Sequence, residues 1–425
     1  MNDLIARLND RDRANRLEAL KSLMEKVRDG EISRPTQGID VNNHIHTSYS
    51  FSPYSPSMAL WMAYMAGLST AGIMDHDSIC GAEEFIEAGK IIGMGVTVGV
   101  ECRVDFSATS LAGRTLNNPD QATIAYVTLH GVPHTQIETV RQFFAPLIMF
   151  RHERNRRMTA KLDSILSPQG ISLDCDRDVL PLSMSFDGGS VTERHILFAV
   201  SKKIVEKFAR GPKVIEFLEG NLGISVSAKN REWLSDSENK FYDYDLLGVL
   251  KSDMVKQFYE PATLECPDVT QVVALANKIG GIVAYAYLGD VTNSVTGDKK
   301  AQKFEDDYLD ELFEVLAGLG FRTITYMPSR NTPAQLARIK ALCDAHQFFQ
   351  ISGEDINSPR QSFVCEAQRS PEFSNLIDAT WALIGHEKAA TQNLKKAFFY
   401  EETVEEHPVL NERIEVYKVI GKESV

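Results

Sequence analysis

The stretch VTQVVALANKIGGIVAYAY, residues 269–287, decides the fold, because it reads as a helix running directly into a strand. The same unit returns in YLDELFEVLAGLGFRTITYM (308–327) and in TPAQLARIKALCDAHQFFQISGED (332–355). Helix-to-strand units in series imply parallel strands joined by crossover helices, hence an α/β layered or barrel fold. The rhythm is also present upstream. GIDVNNHIH (38–46) can form a strand, and Ser55-Pro56 then opens a helix as N-cap and first-turn proline, through about Leu68. STAGIMDH (69–76) is strand-like, GAEEFIEAGKII (81–92) helical, and GVTVGVE (95–101) and ATIAYVTLH (122–130) are further strands.

Two regions stand outside this rhythm. Residues 1–37 form an N-terminal helical extension, with Leu4, Leu8, Leu17, Leu20 and Leu23 at the spacings of one charged amphipathic helix. RDGEISRPTQG (28–38) then breaks the pattern as a linker. Residues 135–265 are helix-rich, polar and too long for a loop. They are expected as a cap inserted between a first barrel part (38–134) and a second barrel part with a C-terminal segment (266–425). In this cap RHERNRRMTAKLDSIL puts Arg154, Arg157 and Lys161 on one helix face, either a solvated face or a grip on phosphate.

The bulk composition narrows the function. The 425 residues, 43% hydrophobic and 24% charged, are those of an enzyme-sized globular chain. A net charge of −13 argues against a nucleic-acid partner, whose phosphate backbone wants a basic surface. A small phosphorylated metabolite needs only a local positive pocket or a metal, and it is the expected partner; a homo-oligomer is left open. The six cysteines are scattered with no CxxC pair, which reads as reduced thiols. The charged N-terminus lacks an apolar signal core and no run reaches the roughly 18 apolar residues of a membrane span. The expected location is the cytoplasm, with no membrane partner.

The polar residues fall at strand ends. His44 and His46 close the first strand, Asp75 and His76 the second, Glu101 the third and His130 the fourth, while Asp355 follows the last. In a parallel barrel the carboxyl ends of the strands converge on one face, which holds the chemistry. Imidazoles and carboxylates gathered there are what zinc, manganese or iron requires. Asp75 suits a position behind the ligands, orienting an imidazole. Arg360, five residues after Asp355, and Arg194, beside His195, suit phosphate binding, since a guanidinium can hold phosphate oxygens through two bonds. His152, His346, His386 and His407 lie in helical or polar contexts and are expected to be solvated.

In this order and spacing the motifs resemble the PHP (polymerase and histidinol phosphatase) superfamily of metal-dependent phosphoesterases. HIHTSYSFSPYSP (44–56) is similar to the family's opening motif, with His44, His46, Thr47, Ser50 and Pro56 in place. GIMDHDSICGA looks like the second motif, VGVECRVDF places Glu101, and VTERHI places His195. GGIVAYAYLGD and ISGEDIN resemble the two late motifs. The resemblance covers about 39–131, 190–198 and 265–365. It implies a distorted (β/α)7-type PHP barrel carrying the insertion and the N-terminal extension.

It also implies a metal cluster. One ion would take His44, His46, Glu101 and Asp355; a second would share Glu101 and add His130 and His195. A third would need the residue after Ser50, His76 and the last motif's final residue, which here are Phe51, His76 and Asn357. Phenylalanine cannot ligate and asparagine offers only a neutral carbonyl oxygen, so two ions (Zn, Mn or Fe) are expected, with the third site lost or weak. Tyr287 replaces a family histidine and is expected either to point at the pocket or to pack in the core, with Tyr285 facing the other way. The resemblance implies a phosphomonoesterase acting through a hydroxide held by two metals, with His76 or an adjacent aspartate protonating the leaving alkoxide. Asp75 and Asp355 would be the aspartates concerned. Amide hydrolysis by a related barrel, or a non-catalytic module binding metal or ligand, are the alternatives.

Overall fold

The apolar runs between the helices pair in sequence order. The computed structural model describes residues 1–291 and 302–423. Its strands are β1 (Val41–Ile45), β2 (Thr70–His76), β3 (Gly95–Asp105), β4 (Ile124–His130), β5 (Ile282–Ala286), β6 (Thr323–Tyr326) and β7 (Phe349–Ser352), and they lie side by side as β1-β2-β3-β4-β5-β6-β7. The sheet curls until the segment after β7 meets β1: His46 N–H donates to Ile356 O at 2.9 Å and Ile356 N–H to His44 O at 3.1 Å. Gly353 is required at this seam, because a Cβ there would stand 2.6 Å from the His44 backbone nitrogen. The result is a mixed α/β fold with a distorted barrel.

One strand corrects the all-parallel expectation. β1, β2 and β3 are mutually parallel, as are β5, β6 and β7, but β4 runs antiparallel to both β3 and β5. β4 therefore runs downward from the level of Asp105, so His130 at its carboxyl end lies one layer below Glu101 instead of beside it.

Fifteen α-helices surround the sheet among the described residues. The first are α1 (Asn2–Arg7), α2 (Arg13–Arg28), α3 (Pro56–Met65) and α4 (Ala82–Ile92). The insertion holds α5 (Ile137–Leu166), α6 (Glu193–Phe208), α7 (Pro212–Gly220), α8 (Ala228–Ser235) and α9 (Tyr242–Phe258). The remainder are α10 (Val269–Ile279), α11 (Leu309–Leu319), α12 (Pro333–His346), α13 (Ser374–Gln392), α14 (Glu401–Glu406) and α15 (Leu410–Lys422). No helix among the described residues is long and apolar enough to cross a membrane.

The helices bury two principal cores. One lies between the barrel strands and their flanking helices and takes in Ile137, Val140 and Phe144 from the start of α5. The other is built by the insertion, from Met158 to Phe258, and takes in Phe51 from the barrel. The N-terminal extension is two helices rather than one, because Asp12 caps a new start by accepting from Ala14 N–H. Leu8, Leu17, Leu20 and Leu23 enter the barrel's core. A buried ion pair fixes the docking: Arg16 Nε donates to Glu84 Oε1 at 2.9 Å, with both side chains 1% exposed. His386 is not solvated but wholly buried. Its Nε2 donates to Gly131 O at 2.9 Å and its Nδ1 accepts from Phe398 N–H at 2.9 Å.

Candidate metal centre

β1 and β3 bring three donors together. His44, His46 and Glu101 are buried, with ligand atoms within 4.8 Å of one another. Glu101 Oε2 lies 3.4 Å from His44 Nε2 and 3.6 Å from His46 Nε2. Two further sequence-predicted residues reach the group. His76 Nδ1 is 3.1 Å from the same Oε2, and Asp355 Oδ1 is 3.2 Å from His46 Nε2. Both histidine Nε2 atoms of the cradle are buried without a hydrogen-bond partner among the described residues. A buried polar atom left unpaired is costly, and a cation among these lone pairs and carboxylates removes that cost. The donor set therefore fits a divalent ion such as zinc, manganese or iron.

The tautomer of His46 is set from behind. Ser50 Oγ–H donates to Asp75 Oδ1 at 2.7 Å, so its oxygen is left to accept from His46 Nδ1–H at 3.2 Å. With the proton at Nδ1, Nε2 presents a lone pair to the centre. Asp75 also accepts from Thr47 N–H and Thr47 Oγ–H, each at 2.6 Å, which pins the turn after β1. Asp75 is thus a support for the ligand loop, and burial pushes its pKa up against the pull of His46, Ser50 and Thr47. Thr47 and Ser50 entered the sequence reading only as motif letters; their work is visible once the turn is folded.

Electrostatics divide the group. For His44, burial works to lower the pKa, but Glu101, Asp355 and Asp75 more than offset it, so the value rises. For Asp355, at the mouth with its side chain 45% exposed, crowding works upward, yet His46, His44 and Arg194 hold it well below the usual carboxylate range. Burial, helped by His46 and Arg151, drives His76 well below the ordinary histidine value. His76 is therefore neutral near pH 7 and suited to accept a proton or coordinate.

The remaining predicted residues lie apart from this cradle or are engaged elsewhere. Thr128 pairs with Glu101, so His130, two residues further along β4, shares its inward face one layer deeper. Burial lowers its pKa to about 3, and both its ring nitrogens lack partners. His195 sits at the start of α6, where Nδ1 accepts from Thr192 N–H at 3.0 Å and the ring packs edge-on against Phe51 at 5.0 Å. A neutral imidazole accepting at Nδ1 carries its proton on Nε2, which is then a donor and not a lone pair. Phe51 is an apolar anchor in the insertion's core.

Asn357 is engaged on both sides. Its Oδ1 accepts from Arg194 at 2.6 Å and its Nδ2 donates to Asp355 Oδ1 at 2.6 Å. The carbonyl oxygen available to a third ion is occupied by Arg194. Arg194 itself stands beside the centre, bonded to Asn357. Arg360 does not: its fork grips Asp245 of α9 at 2.6 and 2.8 Å and stacks on Trp233 at 3.8 Å, clamping the loop after β7 to the insertion. Tyr287 also turns away, donating to Asp306 Oδ1 at 2.6 Å. Tyr285 and Tyr287 do not face opposite sides, because residues two apart on a strand share a face.

Around the cleft, insertion and barrel are locked by a buried charge network. Arg103 of β3 and Arg151 and Arg154 of α5 face Asp77, Glu193 and Glu265. Three cations meet three carboxylates, so the cluster balances. Burial works to raise the pKa of Glu193, but Arg154, Arg103 and Arg151 hold it well below the usual range. Arg154 is thus buried rather than solvated.

No protein-family model matches this chain, and no curated protein does. Solved structures do. One described as a "putative metal-dependent phosphoesterase" from Bifidobacterium adolescentis aligns with a TM-score of 0.50 at 19% identity, over 79% of this chain and 94% of that one. An amidohydrolase from Chromobacterium violaceum, with bound sulfate and no metal, aligns with a TM-score of 0.48 at 15% identity, over 77% and 90%. At such identity the first likeness carries the fold alone, and no argument rests on the second.

Proposed function

We propose that this chain is a metal-dependent phosphoesterase, a divergent member of the PHP superfamily, that hydrolyses a small phosphomonoester in the cytoplasm. One observation carries the reading: two buried, unpaired imidazole nitrogens converge on Glu101, with Asp355 and Arg194 at the open side. His44, His46, Glu101 and Asp355 would hold the ion. A bound divalent cation supplies Lewis acidity, lowering the pKa of water and drawing charge from phosphate oxygens.

The protein's own groups do the rest. Arg194 uses one N–H on Asn357 and has others to direct at phosphate oxygens, neutralising charge in the transition state. His76 keeps Nδ1 on Glu101, and its Nε2, without a partner among the described residues, takes the proton of the attacking water. The same nitrogen then returns that proton to the leaving alkoxide. Asp75 holds the ligand loop in place throughout. The second ion expected from Glu101, His130 and His195 is left out of this reading, because His130 lies a layer deeper and His195 caps α6. The proposal therefore keeps one ion.

Elemental analysis of the purified protein tests this. About one equivalent of zinc, manganese or iron is expected, falling sharply in Glu101→Gln, together with release of phosphate from a panel of phosphomonoesters. Protein that binds no metal after manganese and zinc are added back, or that holds metal and cleaves only amides, refutes the reading.

A further inference from the structure

We infer that Lys251 is the second cation of an anion clamp, facing Arg194 across the cleft and closing on the phosphate group from the insertion side. The inference deepens the proposed function and rests on it for the identity of the anion. The geometry comes from the register of two packed helices. α6 and α9 lie against each other, and Lys202 Nζ meets Asp243 Oδ2 at 2.5 Å while Arg210 reaches the same carboxylate at 3.5 Å. The carboxyl half of α6 therefore abuts the start of α9, so the helices run antiparallel. Eight residues back along α6 from Lys202 stands Arg194; eight residues on along α9 from Asp243 stands Lys251. The two cations share a level, at the end of the helix pair that reaches Asn357 and Asp355.

Neither cation is neutralised there. Arg194 bonds to a neutral amide, and neither residue makes an ion pair among the described residues. Lys251 is solvent-exposed, and its pKa falls to about 8, first because of Arg194 and then through the crowding of the cleft. Of the carboxylates around it, two are engaged elsewhere and one, Asp120, offsets the repulsion only in part. Asp355 is tied to His46 and Asn357 and Glu193 to Arg154 and Arg103, while Asp120 of the β3–β4 loop attracts Lys251 without forming an ion pair with it among the described residues. On its own helix the nearby charges are Asp253 and Lys256. Two cations held together at the mouth of a metal cradle repel until an anion lies between them.

Binding of inorganic phosphate to the metal-loaded full chain, followed by titration calorimetry, is the test. Lys251→Ala should weaken binding about 10- to 100-fold, the usual effect of losing a hydrogen bond to a charged group. Lys251→Arg should restore it to within about threefold, and Lys256→Ala, an exposed cation on the same helix, should leave it unchanged. Wild-type affinity should also decline above pH 8 as Lys251 loses its proton, whereas Lys251→Arg should not show that decline. Wild-type affinity retained in Lys251→Ala, an equal loss in Lys256→Ala, or no phosphate binding at all overturns the clamp. Lys251-dependent phosphate binding without phosphomonoester hydrolysis sinks the proposed function and leaves the clamp standing. Hydrolysis with kcat/KM unchanged in Lys251→Ala does the reverse.

Discussion

Removing the Ser50 hydroxyl should weaken the metal centre without touching a ligand. The link from Asp75 to Ser50 is 2.7 Å and charge-assisted, and the link from Ser50 to His46 Nδ1 is 3.2 Å. In Ser50→Ala the imidazole loses the acceptor that Nδ1 has among the described residues, so the proton can move to Nε2, where it blocks coordination. Groups that orient a metal-bound histidine are worth about 10- to 100-fold in affinity, or about 1.4 to 2.8 kcal/mol. Competition with a chromophoric chelator for zinc, at fixed pH, reads this directly. Circular dichroism should show the fold unchanged, because Ser50 is small and the turn keeps its Thr47 bonds to Asp75. Asp75→Asn should be at least as damaging, since it disturbs Thr47 as well. If Asp75 acts on His46 through Ser50, the double variant should lose no more than Asp75→Asn alone. Zinc affinity within about threefold of wild type in Ser50→Ala would falsify the relay, because the lost orientation is expected to cost at least tenfold.

Three further outcomes follow from the same geometry. Metal affinity should rise with pH through and beyond the ordinary histidine range: the carboxylates raise the pKa of His44 above 6.5, and an incoming ion must displace that proton. A proton-release measurement that finds uptake, or affinity flat between pH 5 and 8, contradicts this. Phe51→Ala should destabilise the insertion by about 3 to 5 kcal/mol, seen as faster hydrogen exchange confined to 158–258; uniform or unchanged exchange counts against an anchor there. Arg16→Met should cost about 3 to 5 kcal/mol in urea unfolding, because Glu84 is left charged in the core with Ser57 its one remaining donor among the described residues. The exposed Arg13→Met is the control, and equal effects from the two would show that the pair is immaterial.

Much of the centre was legible because its signals are local. The strand at 41–45 with its histidine pair, and Ser55 as the cap of α3, which accepts from Met58 N–H at 3.0 Å, are set by residues within a few positions of one another. Strand direction is not local. An alternating pattern reads the same upward and downward, so nothing in ATIAYVTLH announced that β4 is reversed and that His130 lies below the ligands. Long side chains hide their partners for a similar reason. Arg360 follows a metal motif, but its partner Asp245 is more than a hundred residues earlier. Lys251 has no motif at all, and only the pairing of α6 with α9 brings it to the cleft. His195 was legible as a motif histidine, and the Thr192 bond that decides its tautomer was not.

The reversal of β4 also explains the length of α5. The chain leaves β4 a layer below Glu101, whereas the insertion's core takes in Phe51 from the loop after β1, and a single 30-residue helix makes the climb. At 1.5 Å per residue it spans about 45 Å. Its foot is bedded among barrel side chains, its middle carries Arg151 and Arg154, and its top enters the second core. The helix is a mast, and its pitch is a tolerance. Deleting one residue between Phe144 and Arg151 would swing everything above by about 100°, turning both arginines off their carboxylates at once. Loops elsewhere in the chain can drift in length, but this span cannot.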